Sequence, residues 1–338
     1  MRTHDTPGPG RILPEGSIVH CSAPAHTGRF SRRLAAALAV ALILASSAGP
    51  HASAADGKQR RFSSPDEAMT ALVDAIKTHD RKVLTDILGP EGRTLVSSGD
   101  EVADRRSREL FAAEYDRAHR IEGGGGKVVL YVGPDDFPFP IPLVPEGPWW
   151  RFDTRAGKEE ILDRRIGRNE LNAVQVCLAY VDAQREYYAE DRNADGLREF
   201  ARHIASAPGK QDGLHWETKP GQKPSPLGAL MARARAEGYG PRKGAKPVPY
   251  YGYYYRILTA QGPDAPGGAY AYVAHGRMIG GFALVAFPAR YGVSGVMTFI
   301  VNHDGVVYQK DLGPGTAAIA EKMKQFNPGG GWQKVAAL

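Results

Sequence analysis

At 338 residues, 42% of them apolar and 24% charged, the chain exceeds one small core and suits a removable leader followed by two domains of ordinary size. Its formal charge of +6 is spread along the chain, and no Lys/Arg block interleaves with aromatics, so no nucleic-acid surface is expected. Five arginines against two acids precede Ala55, which leaves the rest of the chain with about half that excess.

Residues 1–54 read as a leader. Arg29, Arg32 and Arg33 precede the apolar run Leu34 to Leu44, and Ala52-Ser53-Ala54 follows as a small-residue cleavage site, the three parts of a secretory signal peptide in order. The run is too short for a comfortable permanent anchor. The expectation is an exported protein, periplasmic or secreted, with no permanent membrane span after signal cleavage. Ser31-Arg32-Arg33 is a faint echo of twin-arginine export, and ordinary export accounts for the same residues. Of the two cysteines, Cys21 lies in the leader, so the mature part holds the single thiol of Cys177 and no internal disulfide. No cysteine follows the apolar run to carry a lipid.

Residues 62–167 are expected to form an N-terminal α+β domain. Ser63-Ser64-Pro65-Asp66-Glu67 is a helix start, with a hydroxyl cap, proline in the first turn and acids at the positive end of the dipole. Apolar spacing through Ala68, Leu72, Val73 and Ile76, then Val83, Leu84, Ile87 and Leu88, predicts two helices broken near His79-Asp80. Asp100 to Ile121 adds another helix. Beyond the Gly123–Gly126 turn the period changes to that of strands, at Val128–Val132 and Trp149–Asp153 around a Pro-rich excursion, with Lys158–Ile166 as a third strand or a helix start. Helices followed by a small curved antiparallel sheet resemble cystatin-like and nuclear-transport-factor cones.

A second α+β domain, residues 168–338, is expected to open with a long helix from Asn169 to Glu190. A further helix is expected at Leu197–Ile204 and a short one at Leu227–Glu237. Tyr250–Gln261, Ala269–Val273, Ile279–Phe287, Val296–Val301 and Val306–Lys310 then read as a four- to five-stranded antiparallel meander. Asp304-Gly305 supplies the hairpin turn, and Thr316–Phe326 a closing helix.

These residues carry a resemblance. Gly262-Pro263-Asp264-Ala265-Pro266-Gly267-Gly268-Ala269-Tyr270, Gly276-Arg277-Met278-Ile279-Gly280-Gly281-Phe282-Ala283-Leu284 and Gly295-Val296-Met297-Thr298-Phe299-Ile300-Val301-Asn302-His303-Asp304-Gly305 resemble a bacterial export family, the domain of unknown function 2950. The likeness spans about Phe62 to Trp332 and implies an envelope protein with no established catalytic residues to carry over. The helix with Ala173, Val181 and Gln184–Tyr188, followed by strands ending in Asn302-His303-Asp304-Gly305-Val306-Val307-Tyr308, is also similar to the globular part of type IV pilins and pseudopilins. Pilins begin with an apolar polymerisation helix, whereas here a whole α+β segment precedes the matching helix.

The sharpest candidate site is Asp191-Arg192-Asn193-Ala194-Asp195-Gly196. Oxygen side chains at alternate positions before a glycine match the first half of a calcium loop, with Asp191, Asn193, Asp195 and Glu199 as ligands, although Arg202 stands where a bidentate Glu is usual. The same residues also suit an Asx-rich turn. Tyr251, Tyr253 and Tyr255, with Trp216, are candidates for an aromatic binding surface on one strand face. His303-Asp304 sits in a predicted turn, where solvation accounts for both side chains. The six histidines after the leader show no metal spacing, and no nucleophile or phosphate-loop motif occurs. The reading is therefore a non-enzymatic envelope binding or assembly protein, with calcium the one cofactor considered and envelope proteins or a cell-wall polymer as partners. The alternatives are a hydrolase acting on an envelope polymer and a periplasmic small-ligand sensor.

Overall fold

Local capping explains where the first helices begin and end. The computed structural model describes residues 59–240 and 247–336, so the leader lies outside the described residues. Ser64 caps helix α1 (Pro65–Lys77) by accepting from the Glu67 N–H, while the Glu67 carboxylate reaches back to the Ser63 N–H at 2.9 Å. His79, at φ 56°, and the capping carboxylate of Asp80 then start α2 (Arg81–Leu88). A short α3 (Arg93–Val96) precedes α4 (Glu101–Arg117), which is capped by Asp100 and ends four residues before the expected limit because β1 (His119–Gly124) begins there.

Strand β1 pairs with β2 (Lys127–Val132), and the Pro-rich excursion contributes β3 (Phe137–Pro138) and β4 (Leu143–Glu146) before β5 (Trp149–Phe152). The antiparallel order is β1-β2-β4-β5, with β3 paired to the end of β2 at Tyr131 and Val132. Phe62, Leu72, Ile87, Leu130, Ile141 and Phe152 are all fully buried where α1 and α2 cover this sheet.

Helix α5 (Thr154–Tyr188) is 35 residues long, roughly 50 Å at the usual rise. Lys158–Ile166 is part of it, the helical one of the two expected alternatives, and position 167/168 falls inside the helix. Ile161 packs on the first core, while Ala173, Val174, Cys177, Tyr180, Val181 and Tyr187 are buried in a second. One helix serving two cores turns different faces inward along its length, which blurs its periodicity in sequence. Gly157 permits the crossing: a Cβ there would stand 2.3 Å from the Pro140 carbonyl oxygen.

The second core lies between α5 and an antiparallel sheet built from five of the strands that follow. Strands β6 (His203–Ala205) and β7 (Gly213–His215) pair in parallel, and α6 (Gly228–Ala236) follows. The main strands are β8 (Tyr253–Leu258), β13 (Ala283–Pro288), β14 (Met297–Asn302) and β15 (Val307–Asp311). Between β8 and β13 lie the two-residue strands β9 (Ala260–Gln261), β10 (Tyr270–Ala271), β11 (Val273–Ala274) and β12 (Arg277–Met278). Helix α7 (Thr316–Lys322), β16 (Gln325–Phe326) and β17 (Gln333–Lys334) close the chain, and the main sheet runs β17-β15-β14-β13-β8. The architecture is α+β, a long helix followed by antiparallel strands. Among the described residues no helix is long and apolar enough to cross a membrane.

Two expected helices differ. Leu197–Ile204 is not helical but irregular until β6 begins at His203, because the buried Gln184 side chain accepts from the Ala201 N–H at 2.9 Å and donates to its carbonyl at 2.8 Å, while the Phe200 N–H donates to Met278 O. The closing helix stops at Lys322: the Arg256 guanidinium donates to the Ala320 and Met323 carbonyls, and Phe326 turns into the core.

Candidate functional site

Six elements converge on a cavity of about 500 Å³ at the edge of the second core. Val176 and Tyr180, one helical turn apart on α5, form its floor, and Tyr255 of β8 with Leu284 of β13 close the sheet side. Leu230, Met231 and Ala234 present the apolar stripe of α6, and Ile204 and Ala205 bring β6 to the opposite wall. Tyr239, Val248 and Tyr250 complete the rim. The volume is in the range of small-molecule sites, and so is an apolar lining with a few polar atoms.

Those polar atoms are largely committed. The Tyr180 hydroxyl accepts from Gln184 at 3.0 Å and donates to Ala283 O at 3.3 Å; the Tyr255 hydroxyl donates to Tyr250 O at 3.3 Å. Tyr255 keeps some accessible surface because it faces the cavity, and burial raises its phenol well above the ordinary value. The enclosed Tyr250 hydroxyl meets no partner of good geometry, the Tyr251 hydroxyl lying beside it.

His215 stands at the mouth between Ser225 and Arg235. Its Nδ1 is 3.0 Å from Ser225 Oγ, and its Nε2 is 3.2 Å from Arg235 Nη2. A guanidinium only donates, so Nε2 accepts and Nδ1 carries the proton that is given to Ser225. The imidazole therefore has no lone pair facing the serine and cannot act as its base in this arrangement. Burial, reinforced by the Arg235 charge, depresses the His215 pKa and favours this neutral form. Arg235 in turn is anchored on Glu217 at 2.5 Å.

The wall is tied to α4 by two carboxylates. Asp100, fully buried, accepts from the Tyr239 hydroxyl at 2.9 Å, the Gly252 N–H at 2.8 Å and the Ala103 N–H at 3.0 Å. Burial raises its pKa and these hydrogen bonds oppose the rise. Glu237 takes Arg106 at 2.9 Å, Arg233 at 3.1 Å and the Tyr251 hydroxyl at 2.9 Å. Tyr239, Tyr251 and the end of α6 are thereby held in place.

The predicted aromatic surface is not assembled. Tyr251 (φ 52°) and Gly252 (φ 76°) are the central residues of a tight turn closed by Tyr250–Tyr253 hydrogen bonds, which matches a type I′ hairpin turn. Strand alternation thus begins only at Tyr253, and Tyr253 is fully buried. Tyr255 opens onto the cavity, and Trp216 is half-buried with the Arg192 guanidinium 4.9 Å over its ring. A Cβ at position 252 would come 2.6 Å from Asn169 Nδ2, so the turn requires its glycine.

The loop considered for calcium uses its oxygens internally. Asp191 accepts from the Asn193 and Gly196 N–H groups, and Asp195 from the Leu197 N–H. Arg277 donates to Asp195 at 2.5 Å, to Glu199 at 3.0 Å and to Leu197 O at 3.0 Å, and Asn193 donates to Glu199 at 2.6 Å. Asp195 and Glu199 thus converge on a guanidinium. Among the described residues no three His, Cys, Asp or Glu side chains form a metal-holding group. His303 and Asp304 follow β14, with His303 Nε2 3.8 Å from Asp304 and 3.5 Å from the Tyr270 hydroxyl.

Fold and cavity define an α+β protein with a small-molecule-sized, mostly apolar chamber between a long helix and its sheet. The chain belongs to the family described as "Protein of unknown function (DUF2950)", whose model matches residues 59–335. Comparison with curated proteins and with solved structures returned no match, and the likeness to pilins and pseudopilins stays one of sequence phrases and element order.

Proposed function

We propose that this chain is an exported, non-enzymatic binding protein of the cell envelope that seats a small, mainly apolar molecule between α5, α6 and the sheet. The observation that carries the reading is the cavity of about 500 Å³ walled mainly by apolar side chains. Export rests on the charged, apolar and small-residue parts of the leader. The hydrolase alternative loses its most suggestive pair, because Arg235 fixes His215 in the tautomer that donates to Ser225. Calcium binding at Asp191, Asn193, Asp195 and Glu199 would require Arg277 to leave two carboxylates.

The test uses 1-aminoanthracene, a neutral fluorophore that brightens in apolar surroundings, with the purified mature protein. Saturable binding that weakens at least tenfold in both Met231→Trp and Leu230→Trp, each filling the cavity from α6, supports the reading. Absence of saturable binding, or equal binding by folded variants, overturns it.

A further inference from the structure

A second concavity of about 500 Å³ lies between α4, α5 and the first sheet. It differs from the cavity described above in both lining and charge. Leu110 and Phe137 are 54% and 50% exposed, large apolar side chains that face solvent within one groove, and Phe111, Phe139 and Ile161 lie beneath them. Scattered exposed apolar residues are ordinary, whereas two above a concave apolar floor mark a surface that a ligand would cover.

Three arginines of α5 border the groove, and they are not equivalent. Arg164 pairs with Glu160 and lies 4.4 Å over the Phe137 ring. Arg165 donates to the Thr94 and Leu95 carbonyls at 2.7 and 2.6 Å, capping the end of α3. Arg168 is exposed and makes no ion pair or hydrogen bond among the described residues. Its charge, with those of Arg290 and Asp104, acts on Arg165, which places it toward the α4 start. The two acids of the lining belong to the other end: Glu114 is held by Arg117 at 2.9 Å and adjoins Gly133, and Asp135 follows β2. The groove therefore has an apolar floor, acids at one end, and at the other Arg165, held by neutral carbonyls, and Arg168, whose donors are uncommitted.

We propose that this groove binds a long-chain fatty acid, its alkyl chain over Leu110, Phe111, Phe137 and Ile161 and its carboxylate on Arg168. The uncommitted Arg168 guanidinium can grip a carboxylate with two parallel N–H donors, and the neighbouring Arg165 charge, neutralised by no acid, adds to the attraction.

The test is calorimetric titration of the mature protein with palmitate, with hexadecanol as the uncharged control. The expected result is saturable palmitate binding that falls at least tenfold in Arg168→Ala and in Leu110→Asp, both exposed positions that leave the fold intact. Hexadecanol should bind more weakly than palmitate and be indifferent to Arg168→Ala. Met231→Trp, in the other cavity, should leave palmitate affinity unchanged, so the two sites stand or fall separately. No palmitate binding, equal affinity in Arg168→Ala, or loss in Met231→Trp alone would overturn the proposal.

Discussion

Gln184→Met is the most informative single change to the fold around the cavity. Gln184 is fully buried on α5 and holds both backbone groups of Ala201, itself 1% exposed, in addition to the Tyr180 hydroxyl. Methionine fills a similar space and makes none of these bonds. The Ala201 N–H and C=O are then left buried and unsatisfied, at about 1–3 kcal/mol each, so the variant should lose roughly 2–6 kcal/mol of unfolding free energy. Urea unfolding followed by far-UV circular dichroism measures this directly. Because Ala201 leads into Ile204 and Ala205 on the cavity wall, 1-aminoanthracene affinity should fall in the same variant. A loss smaller than about 1 kcal/mol would refute the claim that this side chain, more than local propensity, keeps Leu197–Ile204 out of a helix.

Other expectations follow from the same geometry. Burial pushes the Cys177 thiol up to about 12, so iodoacetamide at pH 8 should leave the folded chain unlabelled and modify Cys177 only in denaturant. The Arg277 hydrogen bond holds Asp195 below the usual carboxylate range. That contribution to stability is present above the ordinary Asp value and is lost as pH falls through the lowered one. Arg277→Gln should therefore flatten the acid limb of a pH series of urea midpoints, and millimolar calcium should not shift the Tm of the unaltered protein. A calcium-dependent rise in Tm would mean that the ion displaces the guanidinium.

Much of the fold was legible because it is written locally. Ser64 and Asp80 announce α1 and α2 through their side chains, and the alternating aromatic and β-branched runs of β8, β13, β14 and β15 are bounded by turn residues. The misplacements have non-local causes. Leu197–Ile204 carries helical spacing, yet its conformation is decided by Gln184, seventeen positions away from Ala201. The tyrosine run invites alternation from Tyr250 onward, but the turn at Tyr251-Gly252 resets the phase at Tyr253. In the Asp191–Gly196 loop the spacing of oxygens is real, and the cation that meets two of its carboxylates is Arg277, distant in sequence. The cavity left almost no trace. His215, Arg235, Tyr239 and Tyr250 belong to separate elements and share no motif, although the stripe Leu227, Leu230, Met231, Ala234 on a short helix is a signal that α6 covers something apolar.

The central claim is that the chamber between α5, α6 and the sheet is a binding site, and a titration of 1-aminoanthracene into the mature protein and into Met231→Trp tests it most directly. The account predicts saturable fluorescence enhancement in the first and at least a tenfold weaker response in the second, with both proteins unfolding cooperatively. Enhancement of equal strength in the two, or none in the unaltered protein, would contradict it.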